Sequence, residues 1–252
     1  MGRIKEDGFV LIKKAFDVSE VAKDIRGIFE AYHSFEEEFD VMAKSLFAKD
    51  NEGFVGCANS AQYLPSLMSL ASSKDMVEIL KLNDIKMPVI NTRPLLSFSS
   101  KDTAKNENYW RVPSHQDWPS MQGSINSVTC WLALVDVTED MGPLQISPRS
   151  HLCGRLDHLD NGVPLLDEYQ GEFQSFPMDA GDMLVFNTFT VHRSGTNSSE
   201  KIRLSAHFRY DDCLEPSFIK RKYPRHRIEK RKEGLLFPDF PSEEEVRRYF
   251  GG

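Results

Sequence analysis

The chain has no long apolar run, no paired cysteines, no internal repeat and no excess of positive charge. Each absence removes a class of protein. No stretch approaches the roughly 20 apolar residues that a membrane helix needs. The opening, MGRIKEDGFVLIKKAF, lacks the uninterrupted apolar core of a secretory signal. A cytoplasmic protein with no membrane association is the expectation. Cys57, Cys130, Cys153 and Cys213 form no C-x-x-C pair, so reduced thiols are expected in place of a disulfide framework or a zinc ribbon. A formal net charge of −7 argues against general nucleic-acid binding.

What remains is a chain of 252 residues, 40% hydrophobic and 27% charged, enough for one well-filled core. With no linker-like tract, it reads as a single domain over residues 1–252. The first third is mainly helical in pattern. Asp17 and Glu20 have the spacing of a capping box, and Val21, Ile25, Ile28 and Phe29 follow at helical intervals. FEEEFDVMAKSLFAK, AQYLPSLMSLAS (despite Pro65) and KDMVEILKL are further helical candidates. From about residue 87 the texture becomes short and β-rich, in MPVINTRPLLSFSS, SVTCWLALVDV, PLQIS, EFQSFPM, DMLVFNTF and IRLSAHFRYD. A mainly β protein with flanking helices is predicted, a sandwich or barrel behind a helical N-terminal third. SEEEVRRYFGG reads as a short terminal helix.

One short stretch carries chemistry. In VPSHQD an extended backbone would turn His115 and Asp117 to one face and Gln116 to the other. His192, at the end of the apolar run DMLVFNTFTVH, is the best candidate for a third metal ligand. Two histidines and a carboxylate form the facial set of non-haem Fe(II) oxygenases, leaving adjacent positions open. Such a site carries a net charge near +1, which suits an anionic chelating co-substrate. Arg203 lies 11 positions beyond His192, on a strand whose polar face would be Arg203, Ser205, His207 and Arg209. That row would be costly in a plain core unless a carboxylate ligand paired with it. The row could also simply face water.

The pieces SHQDWPSM, NSVTCWLALVDVTEDMGPLQISPRSH and GDMLVFNTFTVHRSGTNSSEKIRLSAHFRYD, in this order over residues 111–211, resemble the phytanoyl-CoA dioxygenase-like family of Fe(II)/2-oxoglutarate oxygenases. EDGFVLIKKAF resembles the family's opening segment. The resemblance implies a double-stranded β-helix, a jelly-roll, cupin-like barrel. Within it His115, Asp117 and His192 would bind Fe(II), and Arg203 would hold the distal carboxylate of 2-oxoglutarate. Ser194 would support that carboxylate and Trp131 would line the co-substrate pocket, or serve as ordinary core. The implied activity is hydroxylation of a small organic substrate with O2, releasing succinate and CO2. Asp117 favours hydroxylation over halogenation, since halogenases replace that carboxylate. The family's loop usually reads Pro-Gly-Ser-His where this chain has Pro148-Arg149-Ser150-His151, and the role of Arg149 is left open.

Alternatives stand beside this reading: a cupin-like metal-dependent isomerase or hydrolase, and a non-catalytic 2-oxoglutarate-binding sensor. Desaturation, epimerisation and ring closure share the same cofactors. His207 reads as a pocket or core histidine, His151 as a loop anchor, and His158 and His226 as surface residues. Trp118 could shape a substrate mouth or lie on the surface, and Arg93 and Gln145 could supply polar groups to the pocket. KRKYPRHRIEKRK, residues 220–232, carries eight Lys/Arg against Glu229. It is either a solvated face or an attractor for an anionic substrate handle.

Overall fold

The computed structural model describes residues 3–33, 38–102, 112–157, 169–224 and 239–251. Most of the basic segment, with His158 and His226, lies outside them. A short helix, α1 (Ile4–Asp7), closes on Gly8, whose φ of 88° lets its N–H return to the Ile4 carbonyl. Strand β1 (Phe9–Ile12) follows, a strand the sequence pattern did not separate from its helical surroundings. The helical third comprises α2 (Ser19–His33), α3 (Phe39–Lys49), α4 (Asn51–Ala61), α5 (Pro65–Ala71) and α6 (Lys74–Leu82).

Local chemistry sets these boundaries. Asp17 accepts from the Ser19 amide at 2.9 Å, so the expected Asp17–Glu20 box is instead an Asx turn just ahead of α2. Pro65 opens α5 in the first turn, where its missing N–H costs nothing. Ser73 caps α6 by accepting from the Met76 amide. Helix α4 was not legible in NEGFVGCANSA, which holds two glycines; burial of Phe54, Cys57, Ala58 and Ala61 stabilises it. Phe29 of α2 packs edge-on against Phe39 and Phe54, with ring centroids 5.5 Å away in each case, joining three helices.

The β region contains β2 (Pro88–Ile90), β3 (Leu95–Ser99), β4 (Ser127–Ala133), β5 (Leu144–Ile146), β6 (Gln174–Phe176), β7 (Met183–Asn187), β8 (His192–Ser194) and β9 (Arg203–Asp212). A one-turn helix, α7 (Trp118–Met121), precedes β4. Two short helices, α8 (Pro216–Lys220) and α9 (Glu243–Phe250), follow β9, the latter with a Ser242–Glu245 capping box. All pairings are antiparallel. The larger sheet runs β1-β7-β4-β9-β2, with β3 also on β9, and the smaller runs β6-β5-β8. This is the expected double-stranded β-helix with helices outside it.

The larger sheet is covered on both faces. Val128, Cys130 and Leu132 of β4 join Leu204, Ala206, Phe208 and Tyr210 of β9 beneath the helices. The alternate residues Trp131 and Ala133 face Leu144, Ile146 and Phe176 of the smaller sheet. Every residue of β4 is therefore buried. No helix among the described residues is long and apolar enough to cross a membrane.

The turn into β7 is tied by Asp182, which is fully buried. It accepts from the Lys14 amide at 2.8 Å, the Asp179 amide at 2.9 Å and the Lys13 ammonium. Burial pushes this carboxyl up, but the Lys13 bond and the two amides outweigh it and hold it below its ordinary value of 3.8. A carboxylate lowered in the folded state stabilises it above the unfolded value, and that contribution is lost as pH falls through the folded value. Asp182→Ala is expected to cost about 2–3 kcal/mol at neutral pH. In thermal scans its deficit relative to wild type should shrink below about pH 4; a deficit unchanged by acid would show that the charge contributes nothing.

Candidate metal centre

The three residues picked out by the H-x-D…H pattern converge. His115 pairs directly across from His192 in an isolated antiparallel bridge, each amide donating to the other's carbonyl at 3.0 Å. The rings lie 4.0 Å apart by centroid. Asp117 does not sit on a strand. Its φ and ψ of −76° and −29° are already helical where it precedes α7, so the chain turns just after His115. One donor atom from each of His115, Asp117 and His192 lies within 4.8 Å of the others. His115 Nε2 is 3.8 Å from Asp117 Oδ1, and His192 Nε2 is 4.0 Å from Oδ2.

The tautomers follow from the neighbours. His115 Nδ1 lies 2.8 Å from the Pro113 carbonyl and His192 Nδ1 lies 3.0 Å from that of Thr190. A carbonyl only accepts, so each Nδ1 carries the proton and each Nε2 presents a lone pair toward Asp117. Burial pushes both imidazoles down, His192 to about 3. Two neutral nitrogens and one carboxylate on one side of a small space match the donor set of a non-haem Fe(II) site.

Gln116 points away, as alternation predicted, and its amide is fully used. Nε2 donates to the carbonyls of Gly154 at 2.8 Å and Phe189 at 2.6 Å, while Oε1 accepts from the Leu156 amide at 2.9 Å. It thus ties the segment bearing His115 and Asp117 to the turn that leads into His192.

The polar row of β9 is interior. Arg203, Ser205 and Arg209 are buried, with His207 half-buried between the latter two. Arg203 is 1% exposed and has no ion pair among the described residues. Its Nη1 donates to the Gly142 carbonyl and Nη2 to Ser194 Oγ at 3.3 Å, while Nε has no partner among the described residues. Burial alone lowers its pKa to about 10. Gly142 is held at φ 65°, and a Cβ there would approach the Thr196 carbonyl carbon to 2.5 Å, so only glycine fits beneath the guanidinium. Trp131, a core residue, also places its ring 5.9 Å from the Arg203 guanidinium carbon and 6.2 Å from the His207 ring. A buried cation with an unused donor and no acid beside it is chemically suited to receive a carboxylate.

Sequence reasoning missed the partner of Asp117. Arg209 grips it with both Nη2 to Oδ1 at 2.8 Å and Nε to Oδ2 at 3.1 Å, and Thr129 Oγ1 donates to Oδ2 at 2.6 Å. Burial pushes this carboxyl up, yet Arg209 and the two imidazoles hold it well below the usual carboxylate range. The available signal was the register: Thr129 and Arg209 are cross-strand neighbours on β4 and β9.

Other assignments change. Trp118 is 1% exposed and stacks on Phe189 at 5.2 Å, a packing residue and not part of a mouth. Arg93 is exposed and lies over the Tyr63 ring. Gln145 alternates with the inward Leu144 and Ile146 and accepts from Arg193 Nε at 2.6 Å, so it faces away from the site. Arg149 adopts the left-handed conformation, φ 64°, that its glycine counterpart would favour, and its side chain is exposed. His151 anchors its loop through the Lys5 carbonyl at 3.0 Å.

The sequence model of the phytanoyl-CoA dioxygenase family matches residues 4–205. A methylphosphonate hydroxylase from Gimesia maris is 28% identical over 124 residues, 48% of this chain and 47% of that protein. A 1-deoxypentalenic acid 11-beta-hydroxylase from Streptomyces arenae is 30% identical over 113 residues, 40% of this chain and 39% of that one. The chain thus spans less than half the length of either relative. Among solved structures, the epimerase SnoN in complex with Fe3+, alpha ketoglutarate and nogalamycin RO gives a TM-score of 0.58 at 21% identity, over 83% of this chain and 81% of that one. The non-heme alpha ketoglutarate dependent carbocyclase SnoK from nogalamycin biosynthesis gives 0.58 at 20% identity, over 93% and 92%. At such identities the likeness is one of fold.

Because Gln116 satisfies three backbone groups, two of them on buried residues, Gln116→Ala is expected to lower stability by about 2–4 kcal/mol. It should also weaken Fe(II) binding about tenfold, measured by metal titration of folded protein. Unchanged metal affinity would mean that the H-x-D segment holds its position unaided.

Proposed function

The chain belongs to the phytanoyl-CoA dioxygenase family of Fe(II)/2-oxoglutarate oxygenases, and from that premise we propose that it hydroxylates a small organic substrate, with His115, Asp117 and His192 holding the iron. Arg203 and Ser194 hold the distal carboxylate of 2-oxoglutarate, with Trp131 as one wall of its pocket. When bound, the metal and co-substrate supply the oxidation: O2 is reduced, 2-oxoglutarate becomes succinate and CO2, and one oxygen atom goes to the substrate.

The observation that carries this reading is the pairing of a convergent two-histidine, one-carboxylate cluster with a buried arginine on β9 that has no acid partner among the described residues. The protein's own part is binding and orientation. His115 and His192 are kept neutral, with their Nδ1 protons on carbonyls, so both can donate without first losing a proton. Arg209 and Thr129 keep Asp117 ionised and fix its plane. The guanidinium of Arg203, seated on Gly142, can grip a carboxylate and orient the rest of the co-substrate toward the cluster. Trp131 beside Arg203 and Phe186 against the His192 ring at 4.5 Å give the site apolar walls that disfavour water.

Hydroxylation is preferred over halogenation because Asp117 is present, and over epimerisation or ring closure because the two sequence relatives described above are hydroxylases by name. A small molecule is the expected substrate, and the residues 1–252 are read as one catalytic domain.

Adding Fe(II) and then 2-oxoglutarate anaerobically to metal-free protein should produce the visible charge-transfer band of an iron-chelated keto acid. His192→Ala should abolish it, and Arg203→Ala should raise the 2-oxoglutarate needed by roughly a hundredfold. Iron that binds without any such band would return the choice to an isomerase or hydrolase on the same barrel.

A further inference from the structure

The interior row of β9 carries more positive charge than the proposed cofactors consume. Two buried guanidiniums, Arg203 and Arg209, face one carboxylate, Asp117, and the histidines alongside contribute no charge when neutral. Co-substrate accounts for Arg203. It does not account for Arg209. That residue is 8% exposed, spends Nε and Nη2 on Asp117, and leaves Nη1 buried with no hydrogen-bond partner among the described residues. A buried cationic donor left unpaired is costly, and it stands beside the candidate metal ligands, where a substrate must come.

The next residue on that face, His207, is the half-exposed member of the row. Its Nε2 has only a long contact, 3.4 Å, to Ser205 Oγ. Arg209 and His207 therefore offer two polar groups, one buried and one open, on the same side of one strand. Thr129 and Trp131 lie directly across from them on β4.

We propose that Arg209 Nη1, with His207 beside it, binds an oxyanion carried by the primary substrate, so that this oxygenase acts on a small carboxylate- or phosphate-type acid. The assignment rests on the oxygenase reading above and adds a substrate class to it. It explains the surplus charge: 2-oxoglutarate brings two negative charges against the metal and Arg203, and a third is still needed where Asp117 is already paired with Arg209. A group on Arg209 would hold the neighbouring part of the substrate close to the iron, which orients it for reaction. The co-substrate's own metal-binding carboxylate is the rival occupant, and the test separates the two.

Zinc-loaded protein, which cannot turn over, is saturated with 2-oxoglutarate and titrated calorimetrically with acetate, inorganic phosphate and, as the neutral counterpart, acetamide. Acetate or phosphate should bind at about millimolar concentration, as expected for so few atoms, and acetamide at least tenfold more weakly. Arg209→Lys keeps a positive charge beside Asp117 but lacks the free Nη1. It should weaken the anion about tenfold or more and weaken 2-oxoglutarate by a smaller factor, because the bidentate grip on Asp117 is lost as well. Should that variant fail to fold, His207→Phe serves, with a smaller loss of anion binding expected and 2-oxoglutarate affinity changed less than threefold. Wild-type protein that binds 2-oxoglutarate but shows no preference for the anions overturns the assignment and leaves the oxygenase reading standing. Anion binding that neither variant alters overturns it as surface binding. Equal losses of anion and 2-oxoglutarate in Arg209→Lys give the guanidinium to the co-substrate. If wild type binds no 2-oxoglutarate, the oxygenase reading itself fails and takes this one with it.

Discussion

Strand β9 is the constraint on which the rest of the molecule depends. Ten residues long, it pairs with β4 on one edge and with β2 and β3 on the other. Because side chains alternate, its apolar set closes the core under the helices while its polar set lines the interior. A slip of one residue would exchange the sets, putting two arginines against Phe29 and Phe54. The hydrophobic core on one side thus enforces the register that builds the site on the other.

The site is held together by charge as much as by packing. Asp117 is buried, and burial by itself would favour its protonation. The three hydrogen bonds from Arg209 and Thr129 keep it ionised and leave it little freedom to rotate. The two histidines are brought together differently, by backbone pairing across the β-bridge. One side chain of the cluster is therefore aimed by side-chain electrostatics and two by the ladder. Gln116 links the two arrangements, since its amide reaches both the H-x-D segment's surroundings and the turn before His192.

Much of this was legible in the residues. The alternation in IRLSAHFRYD identified both faces of β9, and the H-x-D pair with a later histidine identified the cluster. KDMVEILKL matched α6 residue for residue, since its amphipathic period and its cap agree. Less visible were elements stabilised only by what packs on them. Strand β1 pairs with β7, some 170 positions away, and α4 relies on Phe29 and its neighbours to offset its glycines. Trp118, Arg93 and Gln145 were misplaced because an aromatic, an arginine or an amide reads alike inside and outside a pocket until its neighbours are known.

What the sequence by itself determined is the chemistry that local pattern can encode: the ligand types, their order, the two faces of each long strand, and the family to which such a string belongs. These depend on spacing of a few residues, which the backbone's own periodicity translates directly into direction. The tertiary structure alone decided how distant residues meet. It put His192 opposite His115, Arg209 on Asp117 and Gly142 under Arg203, pairs separated by 61 to 92 positions. Such contacts arise only when two sheets close on each other, because no local interaction links them.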